Sequence, residues 1–231
     1  RVYYGLSNTI ENQNHIRLEI DRADKLDYDL LKTYVRMSDS IQKQVTAEAH
    51  RIGIPVSSHE LFPATEYNVD AVEHTAGTSR RGYSQRQSAM HQIYEDVIKL
   101  TAQSGIRITP TIVMGGFLKM NKENPALHQN IQYQHFFSSS YRKKWVDRAL
   151  RSDYTHVEGF LKEIALFKKY GANITAGTDS PQVPYGTSLH AELWLFNQAG
   201  LSPFQTLQTA TINAARLIGV EKDLGSVEVD K

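Results

Sequence analysis

The sequence predicts an α/β fold in which βα units surround a parallel sheet. Short β-branched runs alternate with helical stretches along the whole chain. Several helical stretches end at a glycine, such as Gly53, Gly105 and Gly171, which is the usual residue just past a helix C-terminus. About six such units can be counted, whereas a closed barrel needs eight units and about 250 residues. Residues 1–231 are therefore predicted to form a single partial barrel domain.

The composition narrows the classes of function. Lys and Arg total 26 against 25 acidic residues, so the net charge of +1 gives no support for a nucleic-acid surface. The chain has no cysteine, which excludes thiolate metal sites and cysteine nucleophiles. No apolar run is long enough to span a bilayer. A soluble protein of the cytoplasm or periplasm is expected, without nucleic-acid or membrane partners.

The predicted elements follow one another in a regular order. Between the strands lie helices at 11–24, from Ser38 or Ser40 to Gly53, at 88–104 and in a long region that ends at Tyr170. Residues 115–140 are predicted to be a long excursion, because they are rich in Asn, Gln and Ser. Three more helices are predicted in the tail, at 188–199, 203–209 and 210–218. The predicted strands are 1–5, 29–36, 54–58, 70–73, 106–114 and 173–178.

Four polar side chains stand on or at the ends of different predicted strands: Lys32, His59, His74 and Asp179. The carboxyl ends of parallel strands are where a βα barrel places its active site. Each residue alone is a weak signal, since Lys32 could simply extend from an edge strand and an Asp after Gly-Thr often forms a turn. Together, imidazole and carboxylate suit Zn²⁺, and also Mn²⁺, Fe²⁺, Co²⁺ or Ni²⁺.

Side-chain alternation places further residues near this group. Lys32, Tyr34 and Arg36 should share one face of their strand. On that face Arg36 could bind a substrate carboxylate and Tyr34 could polarise a carbonyl, although an exposed strand end is an equal alternative. By the same alternation Glu73, next to His74, should face the helix layer, in a supporting or packing role.

The segments DLLKTYVR, PVSSHE, VDAVEHTAG and ITAGTDSP resemble the strand-four to strand-eight motifs of the amidohydrolase superfamily. The similarity is greatest to its imidazolonepropionase and Xaa-Pro dipeptidase branch, and it runs from about Asp29 to the end of the chain. The resemblance implies a TIM (β/α)8-type metal-dependent hydrolase barrel that is incomplete here and comprises about strands 3 to 8.

The resemblance also implies a role for each residue. Lys32 matches a lysine that is carbamylated in many members and bridges two metals, while His59 and His74 match histidines that hold the more exposed metal. Asp179 matches an aspartate that is both a ligand and a proton shuttle. The family's first metal relies on a His-x-His pair, which this sequence lacks. Strands one and two are therefore expected upstream of Arg1, and the site is expected to hold one or two divalent ions.

The function implied is hydrolysis of a C–N bond, in an amide, a peptide-like compound or a cyclic amide, through a metal-activated water. The substrate would be a small molecule or a dipeptide-like compound. Without the missing strands the chain alone is expected to be inactive, and a homo-oligomer or an upstream domain should cover the open barrel edge. The alternative is a noncatalytic barrel fragment with a binding or assembly role in a larger protein.

Overall fold

A computed structural model of the chain describes residues 8–34, 37–61, 64–75, 94–124, 126, 129–229 and 231. Within these residues one five-stranded sheet has the order β1-β2-β3-β4-β5, and all of its neighbouring strands are parallel. The strands are β1 (Leu31–Thr33), β2 (Val56–Ser58), β3 (Ala71–Glu73), β4 (Arg107–Thr109) and β5 (Asn173–Ile174).

The strand order agrees with part of a βα barrel. Each strand pairs with the next strand along the chain, whereas a doubly wound sheet reverses its order at a switch point. In register, Lys32 lies opposite Ser57 and Val72 lies opposite Ile108. The predicted α/β fold is confirmed, although every strand is shorter than its predicted range. The strand predicted at 1–5 lies outside the described residues.

Helices fill most of the segments between the strands. Ser38 begins the second helix, where its side chain accepts a hydrogen bond from the Ile41 N–H, and Gly105 ends the third with a left-handed backbone. None of the helices in the described part of the chain is long and apolar enough to span a bilayer. The helices are α1 (Gln13–Lys25), α2 (Asp39–Arg51), α3 (Glu95–Ser104), α4 (Val113–Glu123), α5 (Ile131–Phe136), α6 (Ser139–Arg151), α7 (Thr155–Lys169), α8 (Thr187–Gln198), α9 (Pro203–Thr209) and α10 (Ile212–Leu217), with a 3₁₀ turn at Ala64–Tyr67.

The prediction for residues 106–140 was wrong in part. The strand ends at Thr109, and the residues taken as the start of an excursion form helix α4. Its buried residues Val113, Phe117 and Met120 follow the spacing of one helix face. Gly116 lets α4 approach α8 closely, because a Cβ atom there would lie 2.3 Å from Leu195 Cδ1. The glycine therefore marks a helix contact and not the start of a loop.

The long helical region predicted up to Tyr170 consists of two helices, α6 and α7. Both place an apolar face in the core, as the spacing in the sequence predicted for α7. Trp145 of α6 is buried and meets the Phe117 ring edge-on, with the ring centroids 5.1 Å apart. Val157 and Ile164 of α7 are fully buried. The helices α4, α6, α7 and α8 pack on one another, and α7 contacts β5.

Candidate metal centre

The carboxyl edge of the sheet carries the predicted site residues. Lys32 lies within β1, whereas His59 and His74 directly follow β2 and β3. The His59 N–H donates to Thr33 O (3.1 Å), and the His74 N–H donates to Thr109 O (2.8 Å). Both histidines are thus anchored to the neighbouring strand by their own backbone. Asp179 lies five residues beyond the end of β5.

A chain of side-chain contacts joins these residues. The Lys32 Nζ lies 5.9 Å from the centre of the Tyr34 ring. The Tyr34 and His59 ring centroids are 5.2 Å apart, and those of His59 and His74 are 4.8 Å apart. The His74 Nε2 lies 4.0 Å from Asp179 Oδ2. The structure therefore brings together all four residues of the predicted set through successive neighbours, with Tyr34 between Lys32 and His59.

The spacing of His74 and Asp179 is close to that of two ligands of one metal. Two atoms about 2.1 Å from a tetrahedral zinc lie about 3.4 Å apart, so the observed 4.0 Å would have to shorten slightly. Among the described residues, no three His, Asp or Glu side chains already form a group that could hold a metal. The two imidazoles and the carboxylate nevertheless have the chemistry of a catalytic zinc site with an open position. Their donor atoms are of the kind that a divalent metal would need.

Residues with a left-handed backbone cluster at this edge. His74, Thr111 and Asp179 have φ values of 61°, 50° and 54° and follow β3, β4 and β5. A β-branched residue such as Thr111 rarely adopts such a conformation. Backbone strain of this kind costs on the order of 1–3 kcal/mol and persists where the surrounding structure imposes it. The β3–β5 end of the site is therefore held by contacts from elsewhere in the fold.

The prediction that Glu73 faces the helix layer was wrong. The Ser57 hydroxyl donates a hydrogen bond to Glu73 Oε1. Ser57 is in register with Lys32, so Glu73 lies on the same side of the sheet as the candidate site. The alternation rule failed because His74 has a positive φ, and two successive side chains can then point to one side. Glu73 therefore lies beside the candidate site and contacts it through Ser57.

A buried amide supports the β1–β2 end of the site. Gln42 of α2 is 2% exposed, and its Nε2 donates to Thr33 Oγ1 (2.9 Å) and to Ser58 Oγ (2.7 Å). Thr33 directly follows Lys32 and Ser58 directly precedes His59. This network on the helix side of the sheet ties together the two strands that carry Lys32 and His59.

A buried carboxylate, which the sequence did not single out, supports the opposite end. Glu192 of α8 is fully buried and accepts hydrogen bonds from the N–H groups of Ile112 (3.2 Å) and Val113 (2.7 Å). Burial raises the pKa of Glu192 to about 8 and outweighs the backbone hydrogen bonds, which lower it. The neighbouring Thr111 Oγ1 lies 2.6 Å from His74 Nδ1. A Glu in a helix with a mostly apolar face was the signal available in the sequence.

The loop that carries Asp179 is held by small residues. Thr178 Oγ1 and Ser180 Oγ are 3.0 Å apart, and Ser180 Oγ lies 3.4 Å from the hydroxyl of buried Ser188 in α8. A Cβ atom at Gly177 would lie 2.3 Å from Thr109 Cγ2, so only glycine lets this segment pass so close to β4. The Gly-Thr-Asp sequence thus combines close packing with a hydroxyl hydrogen bond around Asp179.

An aromatic cavity lies beside the segment that follows this loop. Its volume is about 670 Å³, within the range of small-molecule sites. It is lined mainly by residues of α5 and the start of α8, namely Asn130, Gln132, Tyr133, Phe136, Phe137, Tyr185, Gly186, Thr187 and His190. Burial raises the pKa of Tyr133 to about 12. Of the two predicted substrate-binding residues, Tyr34 lies beside His59, and Arg36 lies outside the described residues.

Solved structures share this fold. A Xaa-Pro dipeptidase with methionine bound in its active site matches 95% of the chain at 18% identity, with a TM-score of 0.62. A bottromycin amidohydrolase matches 91% at 20% identity (TM-score 0.62), and the ochratoxinase of A. niger matches 94% at 17% identity (TM-score 0.59). The matches cover 50%, 51% and 46% of those chains, so this chain spans about half the length of the structures it resembles.

The sequence itself identifies the family. No curated protein matches the chain. The model of the amidohydrolase family, however, matches residues 33–231, which include His59, His74 and Asp179. The resemblance inferred from the motifs is thereby confirmed, together with the partial TIM-barrel fold that it implied. The chain belongs to the amidohydrolase family.

Proposed function

We propose that this chain carries the metal-binding part of a hydrolase that cleaves C–N bonds in amides, peptide-like compounds or cyclic amides. The observation that carries the proposal is the meeting of His59, His74 and Asp179 at the carboxyl edge of the sheet. The two imidazole centroids lie 4.8 Å apart, and His74 Nε2 lies 4.0 Å from Asp179 Oδ2. Membership of the amidohydrolase family, which generally uses divalent metals, supports the same chemistry.

The metal proposed is zinc, and His59, His74 and Asp179 would hold it. A divalent ion bound there would polarise the substrate carbonyl and lower the pKa of a bound water. We further propose that Lys32 becomes a ligand only after carbamylation, because its free ammonium would repel a cation. Lys32 stands in register with Ser57 of β2. Because its side chain is exposed, carbon dioxide could reach the amine. Carbamylation would also allow a second ion.

Asp179 is proposed to move the proton. Its carboxylate would accept a proton from the attacking water as the new C–O bond forms. It would then return this proton to the nitrogen as the C–N bond breaks, which leaves an acid and a free amine. The side chain of Asp179 is 44% exposed, so it can reach both the water and the leaving amine.

The substrate proposed is a small molecule or a dipeptide-like compound. The aromatic cavity of about 670 Å³ is large enough for such a molecule. Tyr34 is proposed to contact the substrate carbonyl, since its ring packs edge-on against His59. Arg36 is proposed to bind a substrate carboxylate, since it follows Tyr34 by two residues in the sequence.

Metal content and hydrolysis test the proposal together. The full-length protein and its variants His59→Ala, His74→Ala and Asp179→Ala would be analysed for zinc by elemental analysis, and assayed with a panel of dipeptides and N-acyl amino acids. We expect zinc in the wild-type protein, loss of zinc in the two histidine variants, and loss of amine release in all three. His135→Ala, which changes an exposed histidine of α5, is the matched control and should keep its zinc.

A wild-type protein that contains no divalent metal and releases no amine would contradict the proposal. If Lys32 is also unmodified by mass spectrometry of the intact protein, the noncatalytic binding or assembly role becomes the better interpretation. If the protein contains zinc and Lys32 is unmodified, the result supports the hydrolase proposal and contradicts the proposed second metal ion.

A further inference from the structure

We propose that Glu192 is a positioning residue for His74, and that it acts through Thr111. This inference rests on the proposed function only in taking His74 Nε2 as the metal-binding atom. Glu192 lies on α8, far from His74 in sequence, and has no part in the proposed proton transfer. What connects it to the site is a series of three contacts between α8, the segment after β4, and His74.

The first contact fixes the ring of His74. Thr111 Oγ1 lies 2.6 Å from His74 Nδ1, and His74 Nε2 faces Asp179 on the other side of the ring. An imidazole that binds a metal through Nε2 carries its proton on Nδ1, which then donates to Thr111 Oγ1. The hydroxyl of Thr111 therefore fixes the orientation of the ring, and it can accept the Nδ1 proton when Nε2 is the metal-binding atom.

The second contact fixes Thr111 itself. Its φ of 50° is unfavourable for a β-branched residue, so the backbone after β4 has to be held in this conformation by other groups. Glu192 Oε1 and Oε2 accept hydrogen bonds from the N–H groups of Ile112 (3.2 Å) and Val113 (2.7 Å). Two successive N–H groups directly after Thr111 thus point at one carboxyl group.

The third contact makes the arrangement rigid. Glu192 has no exposed surface, and α8 packs closely against α4 at the point where Gly116 meets Leu195. An unpaired carboxylate at such a depth would be costly, so the backbone donors and Glu192 hold each other in place. A small change at Glu192 should therefore move Thr111 and release the ring of His74.

The test compares variants by the tautomer of His74 and by zinc affinity. In the metal-free full-length protein labelled with ¹⁵N-histidine, NMR of the ring nitrogens should show His74 in a single ordered state. Thr111→Val removes the hydroxyl at nearly constant volume and should give a mixture of tautomers. Thr111→Ser keeps the hydroxyl and should restore the wild-type signal. Zinc should bind about 10- to 100-fold more weakly to the Val variant, as is usual when the partner of a ligating histidine is lost.

Glu192→Leu should change the His74 signal in the same direction, because it removes both acceptors of the backbone N–H groups of Ile112 and Val113. If this variant fails to fold, Glu192→Asp keeps the carboxylate but withdraws it by one methylene, and it should give a smaller change of the same kind. Thr101→Val is the control, since Thr101 is a buried threonine of α3 whose hydroxyl donates to Val97 O. It should leave the His74 signal unchanged.

An unaltered His74 tautomer and zinc affinity in folded Thr111→Val or Glu192 variants would overturn the positioning role. That result is distinct from failure of the proposed function. If the tautomer changes as expected but the wild-type protein binds no zinc, Glu192 positions His74 and the hydrolase proposal is the one that fails.

Discussion

The two ends of the candidate site are built in different ways. At the β1–β2 end, Lys32, Tyr34 and His59 follow the ordinary alternation of strands, and the buried amide of Gln42 ties the strands together from the helix side. At the β3–β5 end, His74, Thr111 and Asp179 all have positive φ values. There a buried carboxylate, Glu192, holds the backbone from a helix about 80 residues further along the chain.

This difference indicates that the supporting contacts have different roles at the two ends. Regular strands place the first end without strain, so its support serves mainly the stability of the sheet. The second end departs from regular geometry, and such departures persist only where other contacts impose them. The β3–β5 end is therefore the part of the candidate site whose backbone depends on contacts from elsewhere, and substitutions at the two ends should have different effects.

The largest expected effect is the difference in activity between two substitutions, one at each end of the site. Asp179→Asn removes the proposed proton carrier and should lower kcat by about 10²- to 10⁴-fold, as expected for loss of a general acid–base group. Tyr34→Phe keeps the ring against His59 and removes one hydroxyl, so it should lower kcat/KM by only about tenfold. The measurement is amine release by the full-length, zinc-loaded protein from a dipeptide that it hydrolyses.

Asp147→Asn is the control for the first change, because Asp147 is a carboxylate of α6 that pairs with the exposed Lys143 far from the sheet edge. Its activity should equal that of the wild type. Equal losses of kcat/KM in Asp179→Asn and Tyr34→Phe would show that the two ends contribute alike, which contradicts the proposed difference between them.

The second effect concerns stability at the β1–β2 end. Gln42→Leu leaves the buried Thr33 and Ser58 hydroxyls without their amide donor, so the free energy of unfolding should fall by about 2–4 kcal/mol. Urea unfolding measures this loss. Gln44→Leu, at a less buried position on the same helix, should change stability by less than about 0.5 kcal/mol.

The same Gln42→Leu variant separates the two ends directly. Because Gln42 contacts neither Thr111 nor the backbone after β4, the tautomer of His74 should stay as in the wild type wherever the protein remains folded. A changed His74 signal in this variant would mean that the sheet transmits strain across the whole site.

What the sequence predicted matches the regular end of the site. The order of the βα units, the placement of Lys32 within a strand and that of His59 and His74 directly after strands follow from local patterns, because alternation and strand length are properties of neighbouring residues. The family motifs added Asp179 to the predicted site. The Ser38 cap and the Gly105 helix end were also confirmed, since both depend on a single residue and its immediate neighbours.

The remaining features depend on contacts between distant residues. Glu73 was placed on the wrong side because alternation holds only while φ stays negative, and the positive φ of His74 is not visible in the sequence. Helix α4 was missed because the Asn, Gln and Ser content of residues 115–140 favoured a long excursion, whereas the helix is held by its packing on α8, where Gly116 meets Leu195. Glu192 was missed because its backbone partners are 79 and 80 residues away.

The third effect tests how tightly the Asp179 loop is packed. Gly177→Ala places a methyl group against Thr109 Cγ2, so it should destabilise the protein by about 1–3 kcal/mol and shift Asp179. Thr109→Ser removes that methyl group but keeps the hydroxyl that bonds Thr175, 2.8 Å away. The double variant should therefore recover much of the lost stability.

A thermodynamic cycle of the two single variants and the double variant measures this coupling by urea unfolding. If the losses simply add, the close approach of Gly177 to Thr109 is not what requires glycine at this position.

The last effect, and the smallest for each pH unit, is the pH dependence contributed by Glu192. Its pKa is about 8 in the folded protein, above the usual value for an unfolded glutamate, so the folded state binds the proton more tightly. The stabilisation from this group is full below the unfolded pKa, declines as the pH rises towards about 8, and is constant above that. The slope should not exceed about 1.4 kcal/mol per pH unit.

Urea unfolding of the metal-free protein between pH 5 and 9 measures this slope, and Glu192→Gln should remove the part that Glu192 contributes. An identical pH profile in the variant would mean that Glu192 does not exchange its proton on unfolding, and that the β3–β5 end is held by hydrogen bonds to a permanent anion.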